Sequence, residues 1–225
     1  MNDTIHESSE THSSNAAGGR SAGAGRLVVV SNRVANPDQL QTGGLATALR
    51  AALAARGGIW FGWSGQTVAD GCEPQLHREE RGNVVFATMD LHESDLEGYY
   101  ANFANRVLWP LFHYRLDLVE YHRDTYASYQ AVNRCFAERL ALLIRPDDII
   151  WIHDYHLIPL AGHLRRLGFN NRIGFFLHTP LAPEELLRTL PPHRELIGAL
   201  QYYDLVGLQS GDDLRALREY FRLSL

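Results

Sequence analysis

The chain has 225 residues, of which 45% are hydrophobic, and a formal net charge of −5. This content is ample for the core of one domain, and the acidic balance argues against a broad nucleic-acid-binding surface. All 21 basic residues are arginines, which excludes a Schiff-base lysine or a P-loop lysine among these residues. No apolar run approaches the roughly 20 residues that a membrane-spanning helix needs.

The cysteines and the first 25 residues indicate the redox compartment of the protein and the start of its ordered domain. Cys72 and Cys135 stand apart, in a predicted loop and a predicted helix, which favours a reduced, cytoplasmic protein over a disulfide-stapled one. Residues 1–25 are rich in serine, glycine and alanine and almost lack large apolar side chains. They predict a disordered extension without a signal-peptide hydrophobic stretch. The ordered domain is therefore expected to span residues 26–225.

From Arg26 onward, β-branched runs alternate with segments of helical periodicity. The predicted strands cover residues 26–34, 59–65, 84–91, 149–152, 173–177 and 205–208. The predicted helices cover residues 45–56, 94–109, 126–143, 157–167 and 212–222, and Ser210 is placed to cap the last one. The polar stretch 66–82 carries no predicted strand. This alternation predicts an α/β fold with a doubly wound, mostly parallel sheet.

Two of the predicted strands end in polar residues. Strand 149–152 runs into HDYH, and strand 173–177 runs into HTP, with the helix 157–167 between them. A strand, a helix and a second strand form a βαβ unit, so both strands end at the same edge of the sheet. Ligands gather beyond that edge in open α/β sheets. The pattern therefore predicts a site that contains Asp154 and His178.

Each residue near this edge also has a structural interpretation. Asp154 can accept hydrogen bonds from substrate hydroxyls, or it can cap a helix. His178 can contact a ligand, or it can be a core histidine whose ring nitrogens are hydrogen-bonded within the protein. His153 and His156 have the i, i+3 spacing of a metal pair, but the strand ends between them and no third ligand is evident. A structural or sugar-binding role is favoured for them over a metal.

Further candidates lie earlier in the chain. Arg33 lies at the carboxyl end of the first strand, where a guanidinium can bind phosphate bidentately or pair with a structural carboxylate. Gly43 and Gly44 precede a predicted helix, where backbone N–H groups can approach an anion, although most such pairs are plain turns. Tyr100 and Trp109 lie in a segment dense in aromatic residues. Such rings bind sugar faces, but a helical core stripe is their commoner fate.

Six long segments occur in order from Arg26 onward: RLVVVSNRV (26–34), GGLATAL (43–49), GGIWFGWSG (57–65), YYANFANRVLWPLFHYR (99–115), DDIIWIHDYHLIPL (147–160) and NRIGFFLHTPLAP (171–183). Together they resemble trehalose-6-phosphate synthases, which transfer glucose from UDP-glucose to glucose 6-phosphate. That family has the GT-B architecture, in which two Rossmann-like domains face each other across a cleft. The resemblance implies that residues 26–225 form the N-terminal, acceptor-binding domain.

The resemblance implies an acceptor site for glucose 6-phosphate. Arg33 matches the arginine that contacts the acceptor phosphate. Tyr100 and Trp109 match the aromatic pair that lines the pocket, and Trp63 belongs to a motif near it. Asp154 matches the aspartate that hydrogen-bonds the acceptor sugar close to the reacting hydroxyl.

The resemblance also implies a donor site for UDP-glucose. Gly44, with Gly43 beside it, matches the glycine whose backbone approaches the donor diphosphate. His178 matches the histidine that contacts the donor glucose, so Asp154 and His178 are the expected catalytic residues. The implied reaction retains configuration by same-face attack, which explains the lack of a second carboxylate at glycosidase-like separation. It implies no cofactor and no metal.

The nucleotide-binding domain of the family has no counterpart in this chain, so we expect a truncated fragment. Two alternatives to a trehalose-6-phosphate synthase remain. One is a glucosylglycerol-phosphate synthase, although the presence of both Tyr100 and Trp109 favours a sugar phosphate over glycerol phosphate. The other is a non-catalytic half-domain that binds sugar phosphate and regulates, or pairs with, a complete synthase. Complete relatives often self-associate, which makes a homo-oligomer a further expectation; no nucleic acid or membrane partner is expected.

We predict that the purified 225-residue chain has little or no transferase activity. The family stabilises the donor diphosphate with cations of the second domain, and preorganised charges of this kind usually dominate catalysis. Release of UDP from UDP-glucose in the presence of glucose 6-phosphate measures the activity. Turnover with no second polypeptide present would contradict the prediction.

Overall fold

The structure, a computed structural model, describes residues 25–34 and 44–225. The predicted extension (1–25), apart from Gly25, lies outside the described residues, and so does Gly43. Among the helices that are described, none has the length and apolar character needed to cross a membrane.

The described residues form a seven-stranded sheet. Its strands are β1 (Leu27–Arg33), β2 (Gly58–Val68), β3 (Leu76–Arg81), β4 (Val84–His92), β5 (Ile149–His153), β6 (Arg172–Phe176) and β7 (Leu205–Gly207). They lie in the order β3-β4-β2-β1-β5-β6-β7. The strands β4, β2, β1, β5, β6 and β7 pair in parallel, and β3 runs antiparallel to β4.

Helices connect most of the parallel strands. They are α1 (Gly44–Arg56), α2 (Glu93–Asp95), α3 (Trp109–Phe112), α4 (Arg123–Ala141), α5 (Leu160–Arg166), α6 (Glu184–Leu187), α7 (His193–Gly198) and α8 (Gly211–Ser224). Short 3₁₀ turns occur at Leu116–Leu118, Tyr155–Leu157 and Ala199–Tyr202. The hydroxyl of Ser210 accepts the Asp213 N–H at 3.2 Å, which confirms the predicted cap of the last helix.

The stretch Leu96–Leu108, between α2 and α3, is helical with π-type spacing. Its last hydrogen bond joins the N–H of Trp109 to the carbonyl of Ala104, five residues earlier. The helix predicted over 94–109 is therefore present, but its turns are wider than those of an α-helix. π-Helical turns occur frequently at functional sites, and this one carries Tyr99 and Tyr100.

The sheet is buried on both faces around β1. Val28 and Val30 face the larger core, which contains the π-helical stretch and α4. Val29 points the opposite way, into a smaller core with Trp60 and Leu53 of α1. Successive strand residues face opposite sides of a sheet, so this alternation confirms the doubly wound, mostly parallel α/β prediction.

The strand β3 was not predicted. Five of its six residues are exposed and the first is half-buried, so the sequence carries no hydrophobic alternation there. Its position results from backbone pairing with β4, from Leu76 opposite Met89 to Arg81 opposite Val84. An edge strand held by a hydrogen-bond ladder alone needs no apolar face, which is why the pattern missed it.

An ion pair between the partly exposed Arg26 and the buried Asp148 holds the start of β1 against the loop before β5. The carboxylate of Asp148 is fully buried and accepts the Arg26 Nε–H at 3.0 Å and the Nη2–H at 2.7 Å. It also accepts the backbone N–H of Arg145 at 2.8 Å. Arg26 reaches further to the carbonyl of Leu143 at 3.1 Å. The pair thereby sets the position of β5 beside β1.

We predict that Asp148→Ala lowers the free energy of unfolding by about 2–3 kcal/mol, because it leaves Arg26 and a buried N–H without their acceptor. Urea denaturation measures the change. Asp117→Ala is the matched control, since Asp117 also binds an arginine through both oxygens, that of Arg115, but at the surface. Exposed pairs contribute little. Equal losses in the two variants would contradict the role of burial.

Candidate active site

The carboxyl ends of the central strands bring the predicted site residues to one edge of the sheet. Arg33 ends β1 and lies opposite Trp63 of β2. Asp154 directly follows β5, and His178 lies two residues after β6. Tyr100 joins them through its ring, whose centroid is 6.1 Å from that of Trp63. The structure therefore gathers five of the predicted residues at the edge where α/β sheets bind ligands.

The guanidinium of Arg33 lies close to the indole ring of Trp63 and to the backbone of β2 at Gly65. Its Cζ is 5.5 Å from the centroid of Trp63, a distance typical of a cation–π contact. On its other side, a Cβ added to Gly65 would lie 2.5 Å from Nη2 of Arg33. Gly65 also has φ +91°, which side chains rarely adopt. Within residues 25–34 and 44–225, no carboxylate forms an ion pair with Arg33, so the structural alternative finds no support there.

The Trp63 ring is itself fixed in place. Its Nε1–H donates to the carbonyl of Gln66 at 2.7 Å, and its side chain is almost fully buried. The same segment of β2, which contains Gly65 and Gln66, therefore contacts both the indole and the guanidinium. Gly65 was not among the predicted site residues, although a glycine two residues after a candidate aromatic residue was a visible signal of a close approach.

The aromatic segment divides between core and edge. Tyr99 is fully buried, and its hydroxyl donates to Oδ1 of Asn32 at 2.7 Å. Tyr100 is half-buried and stacks on His156, with centroids 5.6 Å apart and planes 18° apart. His156 in turn stacks on Tyr155 at 4.0 Å. The core-stripe interpretation is therefore correct for Tyr99, whereas Tyr100 belongs to the edge.

Trp109 lies at the rim of the edge rather than beside Trp63 and Tyr100. It is 43% exposed and stacks on His113 at 4.1 Å. The Nδ1–H of His113 donates to the carbonyl of Trp109 at 2.7 Å. His113 is close enough to Asp154 for its charged form to favour the aspartate carboxylate. Trp109 is therefore connected to Asp154 indirectly, through its stacking partner His113.

Asp154 has a backbone conformation that is unusual for a residue with a side chain. Its φ of 75° and ψ of 165° fall in a region populated almost only by glycine, at a cost of about 1–3 kcal/mol. Its Oδ1 accepts the N–H of Tyr155 at 3.0 Å and the N–H of His178 at 3.3 Å. The carboxylate thus caps the 3₁₀ turn and also joins the ends of β5 and β6.

Three buried side chains hold the turn that follows Asp154. The hydroxyl of Tyr129 donates to the carbonyl of Tyr155 at 2.6 Å. The amide of Asn133 donates to the carbonyl of His156 at 3.0 Å. The hydroxyl of Tyr203 donates to the carbonyls of residues 157 and 158 at 2.8 and 3.1 Å. A strained backbone persists only when its surroundings determine it this strongly.

Burial changes the protonation of the groups at this edge. Loss of solvent raises the pKa of the Asp154 carboxyl, and the N–H groups of Tyr155 and His178 oppose that rise. Burial lowers the pKa of His178, which Asp154 opposes. Burial also lowers the pKa of His153 to about 3, assisted by His178, whose Nε2 lies 3.0 Å from Nδ1 of His153. The two imidazoles are therefore neutral at physiological pH.

The two histidines that were weighed as a metal pair do not converge. His153 points to His178, whereas His156 lies between two tyrosine rings. In the part of the chain that the structure describes, no group of three histidine, cysteine or acidic side chains could hold a metal ion. Gly44 is the first residue of α1, and the placement of Gly43 is outside the described residues.

The mostly parallel, Rossmann-like sheet of seven strands matches the N-terminal portion of structures with the GT-B fold. The model of glycosyltransferase family 20 matches residues 27–220. The chain belongs to this family, and the resemblance noted in the sequence is confirmed.

Trehalose-6-phosphate synthases are among the relatives and solved structures that the chain matches. The one from Sinorhizobium fredii is 53% identical over 193 residues, which are 84% of this chain and 42% of the relative. A crystal structure of the UDP-forming synthase from Burkholderia xenovorans with glucose-6-phosphate is 50% identical, with a TM-score of 0.84 over 89% of this chain and 44% of that one. The E. coli enzyme bound with UDP-2-fluoro glucose is 47% identical, with a TM-score of 0.81 over 88% and 42%. The chain thus spans less than half the length of these proteins.

We predict that His156 contributes to acid sensitivity of the fold. Burial lowers its pKa to about 3, while its unfolded pKa is about 6.5. The unfolded state therefore binds more protons between these values, and the free energy of unfolding falls as pH falls, by about 1.4 kcal/mol per pH unit. His156→Phe keeps a ring between the tyrosines and should remove that contribution.

Urea denaturation at several pH values between 6 and 4.5 measures this slope. His122→Gln is the control, because it removes an imidazole that is exposed at the start of α4 rather than buried. A slope in His156→Phe equal to that of the wild type would show that the buried imidazole does not contribute.

Proposed function

We propose that this chain is the acceptor-binding half of a retaining glucosyltransferase that forms trehalose 6-phosphate from UDP-glucose and glucose 6-phosphate. The observation that carries the proposal is the shared edge of Arg33, Asp154 and His178, in a chain 50% identical to a synthase crystallised with glucose-6-phosphate. The alignment of the family model over residues 27–220 supports the same assignment.

The acceptor phosphate binds to Arg33 in this proposal. A guanidinium binds phosphate through two parallel N–H bonds, and such charge-assisted bonds are about twice as strong as neutral ones. The contact with Trp63 and the close approach of Gly65 hold the guanidinium in a defined orientation. A preoriented group loses less conformational freedom on binding.

The acceptor sugar lies between the aromatic edge and Asp154. Tyr100 offers a ring face that suits the C–H face of a sugar, and Trp109 closes the rim. The Asp154 carboxylate accepts a hydrogen bond from a hydroxyl near the reacting oxygen. Its strained, strongly held backbone keeps it at a constant distance from the reacting atoms, and such positioning is a large part of catalysis in a two-substrate reaction.

Transfer then proceeds on one face of the donor glucose. The bond from the anomeric carbon to the diphosphate oxygen breaks, and a bond from that carbon to the acceptor oxygen forms. The acceptor proton passes to the leaving phosphate oxygen. His178 contacts the donor glucose, and the backbone at Gly43 and Gly44 approaches the diphosphate. The two substrates balance this reaction, so the proposal includes no cofactor and no metal.

A second candidate function is binding without transfer, because the chain matches only 42% of the Sinorhizobium relative. In that case the same edge binds glucose 6-phosphate and the chain acts on, or with, a complete synthase. A glycerol phosphate acceptor is less well supported, since the aromatic edge of Tyr100 and Trp63 has no partner in so small a ligand.

We predict that glucose 6-phosphate binds the purified chain saturably and that Arg33→Ala weakens the binding by about 10- to 100-fold. The range corresponds to the loss of one or two hydrogen bonds to a charged group, about 1.5–3 kcal/mol. Gly65→Ala should also weaken it, because the new Cβ displaces the Arg33 guanidinium. Isothermal titration calorimetry measures these affinities.

Matched variants separate the site from general damage. Gly71 also has a positive φ, +89°, but a Cβ there meets nothing within 4 Å, so Gly71→Ala should bind as the wild type does. Arg115→Ala removes an exposed arginine that pairs with Asp117. If Arg33→Ala binds glucose 6-phosphate as tightly as the wild type does, Arg33 is not part of the phosphate site. If the wild type binds glycerol 3-phosphate as tightly as glucose 6-phosphate, glycerol phosphate becomes the favoured acceptor.

A further inference from the structure

We propose that His153 is a positioning residue that fixes the tautomer of His178. In this arrangement His153 donates its Nδ1–H to Nε2 of His178. His178 then carries its own proton on Nδ1 and presents that N–H as a hydrogen-bond donor at the edge of the sheet. The identity of the ligand that accepts it, the donor glucose, rests on the proposed function; the tautomer does not.

The first step is the geometry of the pair. Nδ1 of His153 and Nε2 of His178 are 3.0 Å apart, and the ring centroids are 5.2 Å apart. A neutral imidazole has one nitrogen that donates and one that accepts. One ring must therefore donate across the 3.0 Å contact and the other must accept, so the two tautomers are coupled.

The burial of Nε2 of His153 decides which ring donates. Nε2 of His153 is buried and has no hydrogen-bond partner among the described residues. With a proton on Nε2, His153 would bury an N–H donor without an acceptor, which native structures rarely do. With the proton on Nδ1, only an acceptor is left unpaired, which is tolerated more readily. The burial of Nε2 therefore assigns the proton of His153 to Nδ1.

The third step concerns the ring of His178, whose backbone is fixed on both sides. Its N–H donates to Asp154, and its carbonyl accepts from Nε2 of Gln209 at 3.1 Å. Nδ1 of this half-buried ring has no hydrogen bond within the described residues. Since Nε2 accepts from His153, the single proton of neutral His178 is on Nδ1, where a ligand oxygen can accept it.

The protonation behaviour agrees with this arrangement. Burial lowers the pKa of both rings, and His178 adds to the lowering of the His153 pKa, because two charged imidazoles would place N–H donors against each other. The facing charged group is Asp154, which acts in the opposite direction on His178. Trp151 packs on the other side of His153, with ring centroids 4.4 Å apart, and adds no charge.

The contact with His153 gives the site a hydrogen-bond donor of fixed direction, the Nδ1–H of His178. Neutral histidine in water favours a proton on Nε2, so the contact with His153 reverses the ordinary preference of His178. An Nδ1–H donor suits the oxygen of a sugar hydroxyl or of a phosphate. A free imidazole would offer either a donor or an acceptor at the same place, and would bind such an oxygen less selectively.

The test is the tautomer itself, read from two-bond ¹H–¹⁵N correlation spectra of the imidazoles in the 225-residue chain at neutral pH. The expected result is a protonated Nδ1 and an unprotonated Nε2 in both His153 and His178. A proton on Nε2 of His178 in the wild type would overturn the proposal. This measurement requires no variant to fold.

Two variants add a matched comparison. His153→Asn retains an amide N–H close to the position of Nδ1 and should keep the proton of His178 on Nδ1. His153→Phe retains a ring against Trp151 but removes the donor, so His178 should shift to a proton on Nε2. A residue that only fills space would give the same His178 tautomer in both variants, and that outcome would overturn the proposal.

UDP-glucose and UDP are the probes that separate this inference from the proposed function. With the expected tautomer, UDP-glucose should shift the Nδ1–H resonance of His178 and UDP alone should not. If the tautomer is found and neither probe shifts the resonance, the pairing of His153 and His178 is supported and the donor-glucose contact is not. If the tautomer is absent, the positioning role of His153 fails whatever the probes do.

Discussion

The site depends on the turn at Asp154, where a carboxylate occupies a backbone conformation that almost only glycine adopts. Its free-energy cost is offset by buried donors that bind the carbonyls of residues 155–158. These donors come from Tyr129 and Asn133 of α4 and from Tyr203 just before β7. The position of the carboxylate is therefore a property of the whole core rather than of the HDYH sequence alone.

Apart from Asp154, the described residues at this edge combine the guanidinium of Arg33 with neutral groups. Arg33 rests on Trp63 and against Gly65, and burial keeps His153 and His178 uncharged. Charge–charge interactions are stronger where water is excluded. Among the described residues, an anion bound at this edge would thus meet the well-oriented cation of Arg33, while the neutral imidazoles contribute direction rather than charge.

The sequence predicted which residues converge because the convergence follows from topology. Parallel strands joined by helices end at one edge, so Arg33, Asp154 and His178 had to lie near one another once the alternation was recognised. The sequence did not predict β3, whose exposed residues show no hydrophobic alternation. It also did not distinguish the buried Tyr99 from Tyr100, which lies at the edge. Successive residues of a helix point in different directions, and helical periodicity did not distinguish the π-helical turns of this segment from α-helical ones.

The sequence by itself determined the alternating α/β architecture, the family and the chemical types of the residues at the edge. The tertiary structure alone decided how they are held: the approach of Gly65 to Arg33, the three donors behind Asp154 and the contact between His153 and His178. The physical reason is that these contacts join residues far apart in the chain through specific distances and burial. Local periodicity and motif spacing carry information about backbone elements, but none about which buried atoms meet across them.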